Sequence, residues 1–209
     1  MKKIFLIIVT LVIGASLYAG EVNTNITAAY NYGVFTEKAD GIKTKTSCNG
    51  FDLSISCCFT ENWGFYLNTD YNFSTEATVT SGGTSVTTTD SDWDFSWFLS
   101  VIIGPTYKYK INEKFEIFVA AGFHIAQYLL KSKYIGVQNY STGIGGDLGF
   151  RYLPTEHFYI TSGCLLSHDF KCDGEIYING STTKKSGSYN LGSVRPYIGI
   201  GFCFAEIIK

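Results

Sequence analysis

The sequence predicts an all-β protein folded as an eight-stranded, antiparallel, up-and-down transmembrane β-barrel. Three observations predict it: an aromatic and glycine-rich composition, a regular alternation of short turns with long polar stretches, and period-two hydrophobicity in the segments between them. Charged residues make up 16% of the 209 residues, below the roughly 25% usual in soluble domains. Beyond the N-terminus no apolar run approaches the roughly 18 to 20 residues of a transmembrane helix.

The N-terminal segment has the features of a secretory signal. Lys2 and Lys3 precede an almost unbroken apolar run over residues 4–13, and small residues follow up to Ala19. This order predicts a signal peptide over residues 1–19, cleaved after Ala19, and a single barrel domain over residues 20–209. A retained helical anchor is the alternative.

Short turns and long polar stretches alternate along the chain. The turns are residues 60–62, 111–114 and 154–157, each followed by an aromatic residue. The polar stretches are expected to be long loops: residues 36–50, 74–92, 131–140 and 171–188. For the Ser- and Thr-rich stretch 74–92, a continuation of the hairpin above the membrane is the alternative. In an up-and-down barrel every second connection lies at the same rim, so one rim carries the short turns and the other the loops. Transmembrane barrels have this asymmetry, with the long connections outside the cell.

Period-two alternation identifies the strands between these connections. The strand after the first turn, for example, sets Trp63, Phe65 and Leu67 against Tyr66 and Asn68. No Asp, Glu, Lys or Arg falls in the apolar set of any predicted strand. Such alternation is the pattern of a half-buried strand. Proline removes a ladder donor, so bulges are expected at the two prolines inside strands, Pro105 and Pro196.

The closing segment carries a resemblance to a known family. The aromatic and glycine alternation over residues 197–204, the signal segment and the eight strands together resemble the small outer-membrane barrels of the OmpA/OmpX type. The resemblance implies localisation in the outer membrane, contact with its lipid, and delivery by the barrel-insertion machinery through a final aromatic residue. Phe204 fits that role by parity, although five residues follow it. A soluble lipocalin-type barrel, with the apolar set inside, is the alternative.

Charged residues with lumen parity predict a structural charge network. A turn centred on Asn112 would place Lys108 opposite Glu116, and a turn centred on Glu61 places Asp52 opposite Asp70, because positions equidistant from a turn pair across a hairpin. Arg195 has lumen parity at a similar depth. We expect it to neutralise the two facing acids.

Motifs for chemistry are scarce. His168 has Ser167 and Asp169 as neighbours, but adjacent strand residues point to opposite faces and cannot form a triad with it. The glycine-rich residues 143–147 lack the helix and lysine of a phosphate loop, so these glycines are expected to make room inside the barrel. No cysteine spacing resembles a zinc site. No catalytic residue, cofactor or metal is therefore predicted. A disulfide between Cys48 and Cys172, which flank outer loops, is one alternative to free thiols.

The function predicted from the sequence is that of a non-enzymatic outer-membrane barrel. It would display four surface loops that contribute to envelope integrity or bind an unidentified extracellular partner, as in adhesion. The net charge of −2 offers no basic footprint for nucleic acid. The alternatives are a narrow-pore channel, a barrel enzyme that modifies lipid A, and a lipocalin-type ligand-binding barrel. Eight strands leave an interior just wide enough for side chains, which disfavours a channel.

Overall fold

A computed structural model describes residues 22–39, 41–89, 92, 95–131, 135–178, 181–187 and 190–206. The predicted signal peptide lies outside these residues. The described chain forms ten strands: β1 (Val22–Ala39), β2 (Ile42–Cys58), β3 (Trp63–Ser81), β4 (Thr84–Thr89), β5 (Phe95–Asn112), β6 (Phe115–Lys131), β7 (Ile135–Tyr152), β8 (Phe158–Ile178), β9 (Ser181–Gly187) and β10 (Asn190–Glu206). No helix in the described part of the chain is long and apolar enough to cross a membrane.

Eight of these strands close into an all-antiparallel barrel, which confirms the predicted fold class. The wall runs β1, β2, β3, β5, β6, β7, β8, β10 in order, and β10 pairs with both β8 and β1. Closure leaves no free edge within the wall. Among the described residues, β4 pairs only with β3 and β9 only with β8, and both pairs lie beyond the barrel.

The two rims differ as predicted, but the long connections are not loops. Short turns join β2 to β3, β5 to β6 and β7 to β8 at one rim. At the other rim, the stretches predicted as loops are mostly strand: β1 and β2 stay paired up to Ala39 and Ile42, and β3 continues to Ser81. Their Thr- and Ser-rich sequences form hydrogen-bonded ladders above the barrel. Gly82 and Gly83 make the β3–β4 turn at φ values of 58° and 83°, which only glycine adopts without strain.

Pairing between wall strands stops partway up this outer rim. The β3–β5 ladder ends at Asn72 opposite Phe98, and the β8–β10 ladder ends at Asp169 opposite Leu191. Above these points β3 pairs with β4 in place of β5, and β8 pairs with β9 in place of β10. The outer extension is therefore divided at two points, each beside one of the short added strands.

The two faces of the wall separate by polarity, with the apolar face outward. Phe51 and Ile198 are 64% and 62% exposed, whereas Asn68 and Arg195 are fully buried in the lumen. Apolar side chains cover the outer face, because the surrounding solvent of a membrane barrel is hydrocarbon and the interior is polar. A lipocalin-type barrel would have the opposite arrangement. The observed orientation therefore excludes it.

The predicted bulges at Pro105 and Pro196 are wrong. Beside Pro196 the β1–β10 pairing is interrupted for two residues, between Asn31 and Val34, and resumes in the same register. Beside Pro105 the β5–β6 pairing is interrupted in the same way, between Ile103 and Thr106. An interruption of two residues preserves the alternation of faces. The bulges lie elsewhere, at Ser47/Cys48, Lys110/Asn112 and Thr142/Gly143.

Candidate functional site: a filled lumen below extended hairpins

Arg195 forms the centre of a buried polar cluster in the lumen. Its Nη1 donates to Asp70 Oδ2 and, at 2.7 Å, to Ser100 Oγ. Its guanidinium carbon lies 5.6 Å from the ring of Phe35 and 5.9 Å from that of Phe98. Asp70 also accepts hydrogen bonds from Ser100 Oγ and Asn72 Nδ2. A buried charge is tolerated only when it is paired and hydrogen-bonded in this way.

Asp52 lies opposite Asp70, as the turn register predicts, but Arg195 does not bridge the two acids. Asn68 Nδ2 donates to Asp52 Oδ1 at 3.4 Å. Asp52 Oδ2 is buried and has no hydrogen-bond partner among the described residues. Arg195 therefore forms an ion pair with one of the two facing acids, Asp70.

The predicted Lys108–Glu116 pair is wrong. Glu116 lies opposite Lys110, and Lys108 lies opposite Phe118. The reason is the turn: Asn112 Oδ1 accepts hydrogen bonds from the backbone N–H groups of Lys114 and Phe115, at 2.9 and 3.0 Å. This Asx-type turn shifts the hairpin centre by one residue and its register by two.

Glu116 pairs instead with Arg151 on the neighbouring strand β7. Arg151 Nη1 donates to Glu116 Oε1 at 2.9 Å, and both side chains are almost fully buried. The Arg151 guanidinium also lies 4.2 Å from the ring centre of Phe118. Sequence reasoning missed this partner, although the lumen parity of Arg151 was a usable signal.

Two tyrosines hold a further lumen acid. Tyr66 Oη donates to Asp147 Oδ2 at 2.5 Å and Tyr197 Oη donates to Oδ1 at 3.0 Å. A Cβ built on Gly163 would lie 2.5 Å from Tyr197 Oη, so a glycine is needed for this close approach. The hydrogen bonds join β7 to β3 and to β10, neither of which is its neighbour in the wall, and so tie separate parts of the barrel together.

His124, Asp169 and Ser141 meet in the lumen but do not form a catalytic triad. His124 Nδ1 lies 2.7 Å from Asp169 Oδ1, and Ser141 Oγ donates to Asp169 Oδ2 at 2.6 Å. In a triad the nucleophile is bonded to the other histidine nitrogen. Here both groups contact the acid, and Nε2 has no described partner. The cluster is a buried structural network. His168, by contrast, is exposed on the outer face.

Side chains fill the lumen, where a channel would need open space. Tyr66, Tyr159, Phe98, Ile102 and Leu165 are almost completely buried across the lumen. A cavity at its outer end, lined by Phe35, Phe98 and Tyr128 among others, has a volume of about 30 Å³. That volume holds one or two water molecules.

The cysteines of the described residues are all free thiols, so the alternative Cys48–Cys172 disulfide is not formed. Cys48 lies on β2 and Cys172 on β8, with β1 and β10 between them. Three strand spacings separate them by about 14 Å along the wall, twice the roughly 7 Å that a disulfide tolerates. In the described part of the chain, no group of three or more His, Cys, Asp or Glu side chains could hold a metal ion.

The closed eight-stranded wall, apolar outside and filled with polar pairs inside, defines a small outer-membrane β-barrel. Solved structures share this fold. OprG from Pseudomonas aeruginosa superposes with a TM-score of 0.62 at 16% identity, over 88% of this chain and 96% of that one. Neisserial surface protein A superposes with a TM-score of 0.56 at 11% identity, over 87% and 97% of the two chains. Ail of Yersinia pestis gives 0.50 at 16% identity, over 88% and 99%. No protein-family model and no curated protein matches the sequence.

Proposed function

We propose that this protein is a non-enzymatic outer-membrane barrel that presents four hairpins at the cell surface, where they bind an extracellular partner and support envelope integrity. The observation that carries the proposal is the length of paired strand that continues beyond the apolar outer face of the wall. Outward apolar residues on β3 end at Phe73, yet the strand continues to Ser81 and pairs with β4. Such hairpins present side chains from a rigid scaffold, as binding loops do.

The side chains on the β3–β4 hairpin suit contact with a polar partner. Thr78 and Thr87 are joined by a 3.0 Å hydrogen bond between hydroxyls, and Thr80 and Ser85 by one of 2.9 Å. These hydroxyls are exposed to solvent and hold each other in place. Fixing the rotamers beforehand lowers the entropy lost on binding.

The filled lumen supports this proposal over a channel or an enzyme. The Arg195–Asp70 pair and the Tyr66–Asp147–Tyr197 bonds cross the interior, and His124 lacks the nucleophile contact that catalysis would require. The interior therefore serves the scaffold, and the side chains available to a partner lie on the hairpins.

Trimmed hairpins test the proposal. Removing Thr78, Val79, Val86 and Thr87 deletes two facing pairs and leaves the glycine turn and the alternation of faces intact. We expect cells that carry the trimmed protein to lose adhesion to the surfaces bound by wild-type cells. Leu53→Val, on the apolar outer face of the wall, leaves every hairpin intact and serves as the control. Unchanged adhesion after all four hairpins are shortened would contradict the proposal.

We further propose that export uses residues 1–19 and that the insertion machinery recognises β10 through Phe204. Phe204 faces outward and lies opposite Thr24, where β10 closes the barrel. Phe204→Ala should slow insertion into membranes that contain the machinery, whereas Phe202→Ala, two residues away on the same face, is the control. Equal insertion rates for the two variants would remove Phe204 from this role.

A further inference from the structure

Three lysines share the outward face of the β1–β2 hairpin. The lumen side is marked by Phe35 on β1 and by Thr46 and Cys48 on β2, all buried. Parity therefore directs Lys38 on β1, and Lys43 and Lys45 on β2, away from the lumen. All three are exposed. Together they form what we call the lysine patch.

The lysine patch carries unbalanced charge. Lys38 lies directly opposite Lys43, and like charges in that position destabilise a strand pair. No ion pair within the described residues involves any of the three lysines. On β8, two strands away from β1, Lys171 by contrast lies 4.0 Å from Asp173.

The strands on either side of the patch add hydrogen-bonding groups. On the β3 side, Lys43 is opposite Thr80 and Lys45 is opposite Thr78. On the β10 side, Lys38 is opposite Asn190. One acid, Glu76, lies lower on this face, opposite Ser47. Three ammonium groups flanked by hydroxyl and amide groups match the chemistry of a phosphate.

The height of the patch corresponds to the lipid headgroup layer. Val34, opposite Val194 and Ser47, is the last apolar outward residue of β1. Lys45 lies two residue levels above it, and Lys38 and Lys43 lie four levels above it. Tilted strands rise by about 2.5 Å per residue along the membrane normal, which gives about 5 and 10 Å. Lysine side chains extend further and can bend towards the interface.

We propose that the lysine patch binds the phosphate groups of anionic glycolipid or phospholipid headgroups in the outer leaflet. The patch faces sideways, along the plane of the membrane, where the barrel's neighbours are lipids. A bound phosphate would lie between Lys38 and Lys43 and offset their repulsion. The inference depends on the membrane location of the barrel and is independent of what the hairpins bind.

The test compares purified protein in phosphatidylcholine nanodiscs doped with bisphosphorylated lipid A or with its dephosphorylated form. The variant Lys38→Gln/Lys43→Gln/Lys45→Gln removes the patch, and Lys131→Gln/Lys171→Gln is the control that removes outer lysines elsewhere. Lipid retained by the barrel is measured by native mass spectrometry. A basic residue near the membrane surface contributes about fivefold in affinity. We therefore expect the triple variant to bind phosphorylated lipid on the order of a hundredfold more weakly, with the control unchanged.

Salt and soluble competitors complete the test. Raising ionic strength should reduce retention by the wild type more than by the triple variant, because the interaction is electrostatic. Equal retention by wild type and triple variant would overturn the proposal, as would equal retention of dephosphorylated lipid. Displacement of the lipid by low concentrations of inorganic phosphate or heparin would assign the patch to a soluble anion instead. Heat-dependent migration of each variant on SDS gels establishes that it is folded.

Discussion

Replacing Arg195 with Met should destabilise the barrel strongly. Arg195 is fully buried and makes an ion pair with Asp70, a hydrogen bond to Ser100 and contacts with two aromatic rings. Removing one partner of a buried ion pair leaves the other charge uncompensated, at a cost of about 3 to 5 kcal/mol. The apolar methionine side chain fills much of the arginine volume, so the loss reports mainly the electrostatic contact.

A mutant cycle identifies which acid depends on Arg195. Asp70→Asn should be costly in the wild type and should recover about 2 kcal/mol or more when combined with Arg195→Met, because residues in direct contact couple strongly. Asp52→Asn is the matched control. It removes an acid at the same level of the ladder that does not touch Arg195, so its coupling should be the smaller of the two.

The measurement is the free energy of unfolding in urea, with the protein reconstituted in lipid vesicles and followed by tryptophan fluorescence. Near-equal coupling of Arg195 to the two acids would show that the charge is shared across the facing pair. Additive effects of Arg195→Met and Asp70→Asn, to within about 0.5 kcal/mol, would refute the ion-pair argument altogether.

Three further predictions concern packing, register and sidedness. Gly145→Ala should lower the free energy of unfolding by about 1 to 3 kcal/mol in the same urea assay, because the added Cβ would lie 2.9 Å from Ile102 Cγ1. The loss should nearly vanish in an Ile102→Ala background, and an undiminished loss there would contradict this packing contact. Arg151→Met should destabilise by about 3 to 5 kcal/mol, whereas Lys108→Met should be close to neutral, and the reverse order would restore the Lys108–Glu116 pair. An epitope tag between Gly82 and Gly83 should be labelled on intact cells and one at Glu61 should not; labelling of the Glu61 tag without permeabilisation would show that the topology is inverted.

The wall of the barrel was predictable because its outer surface has a simple physical requirement. A lipid-facing position must be apolar, so every second residue of each wall strand carries the signal, as Phe51, Leu53 and Ile55 do on β2. The outer hairpins have no such requirement. Most side chains of β4 and of the outer end of β3 meet water, and their Thr and Ser residues resemble those of a loop.

The interior was predictable only where the turn chemistry was simple. Residues 59–62 connect β2 to β3 without shifting the register, so counting from the turn places Asp52 opposite Asp70. At Asn112 the side chain caps the turn and the same counting fails. Contacts across the lumen, such as Tyr66 with Asp147, depend on barrel closure and side-chain length, and the strand pattern records neither.

The divided outer rim places different structural constraints on the strands that form it. Within the described residues β4 hydrogen-bonds only to β3, and β9 only to β8, so these two strands can change sequence without altering a wall ladder. The outer parts of β3 and β8, by contrast, stay paired with β2 and β7. Substitutions in β4 or β9 therefore alter the surface beyond the membrane, while the lumen pairs and the membrane-embedded ladders keep their contacts.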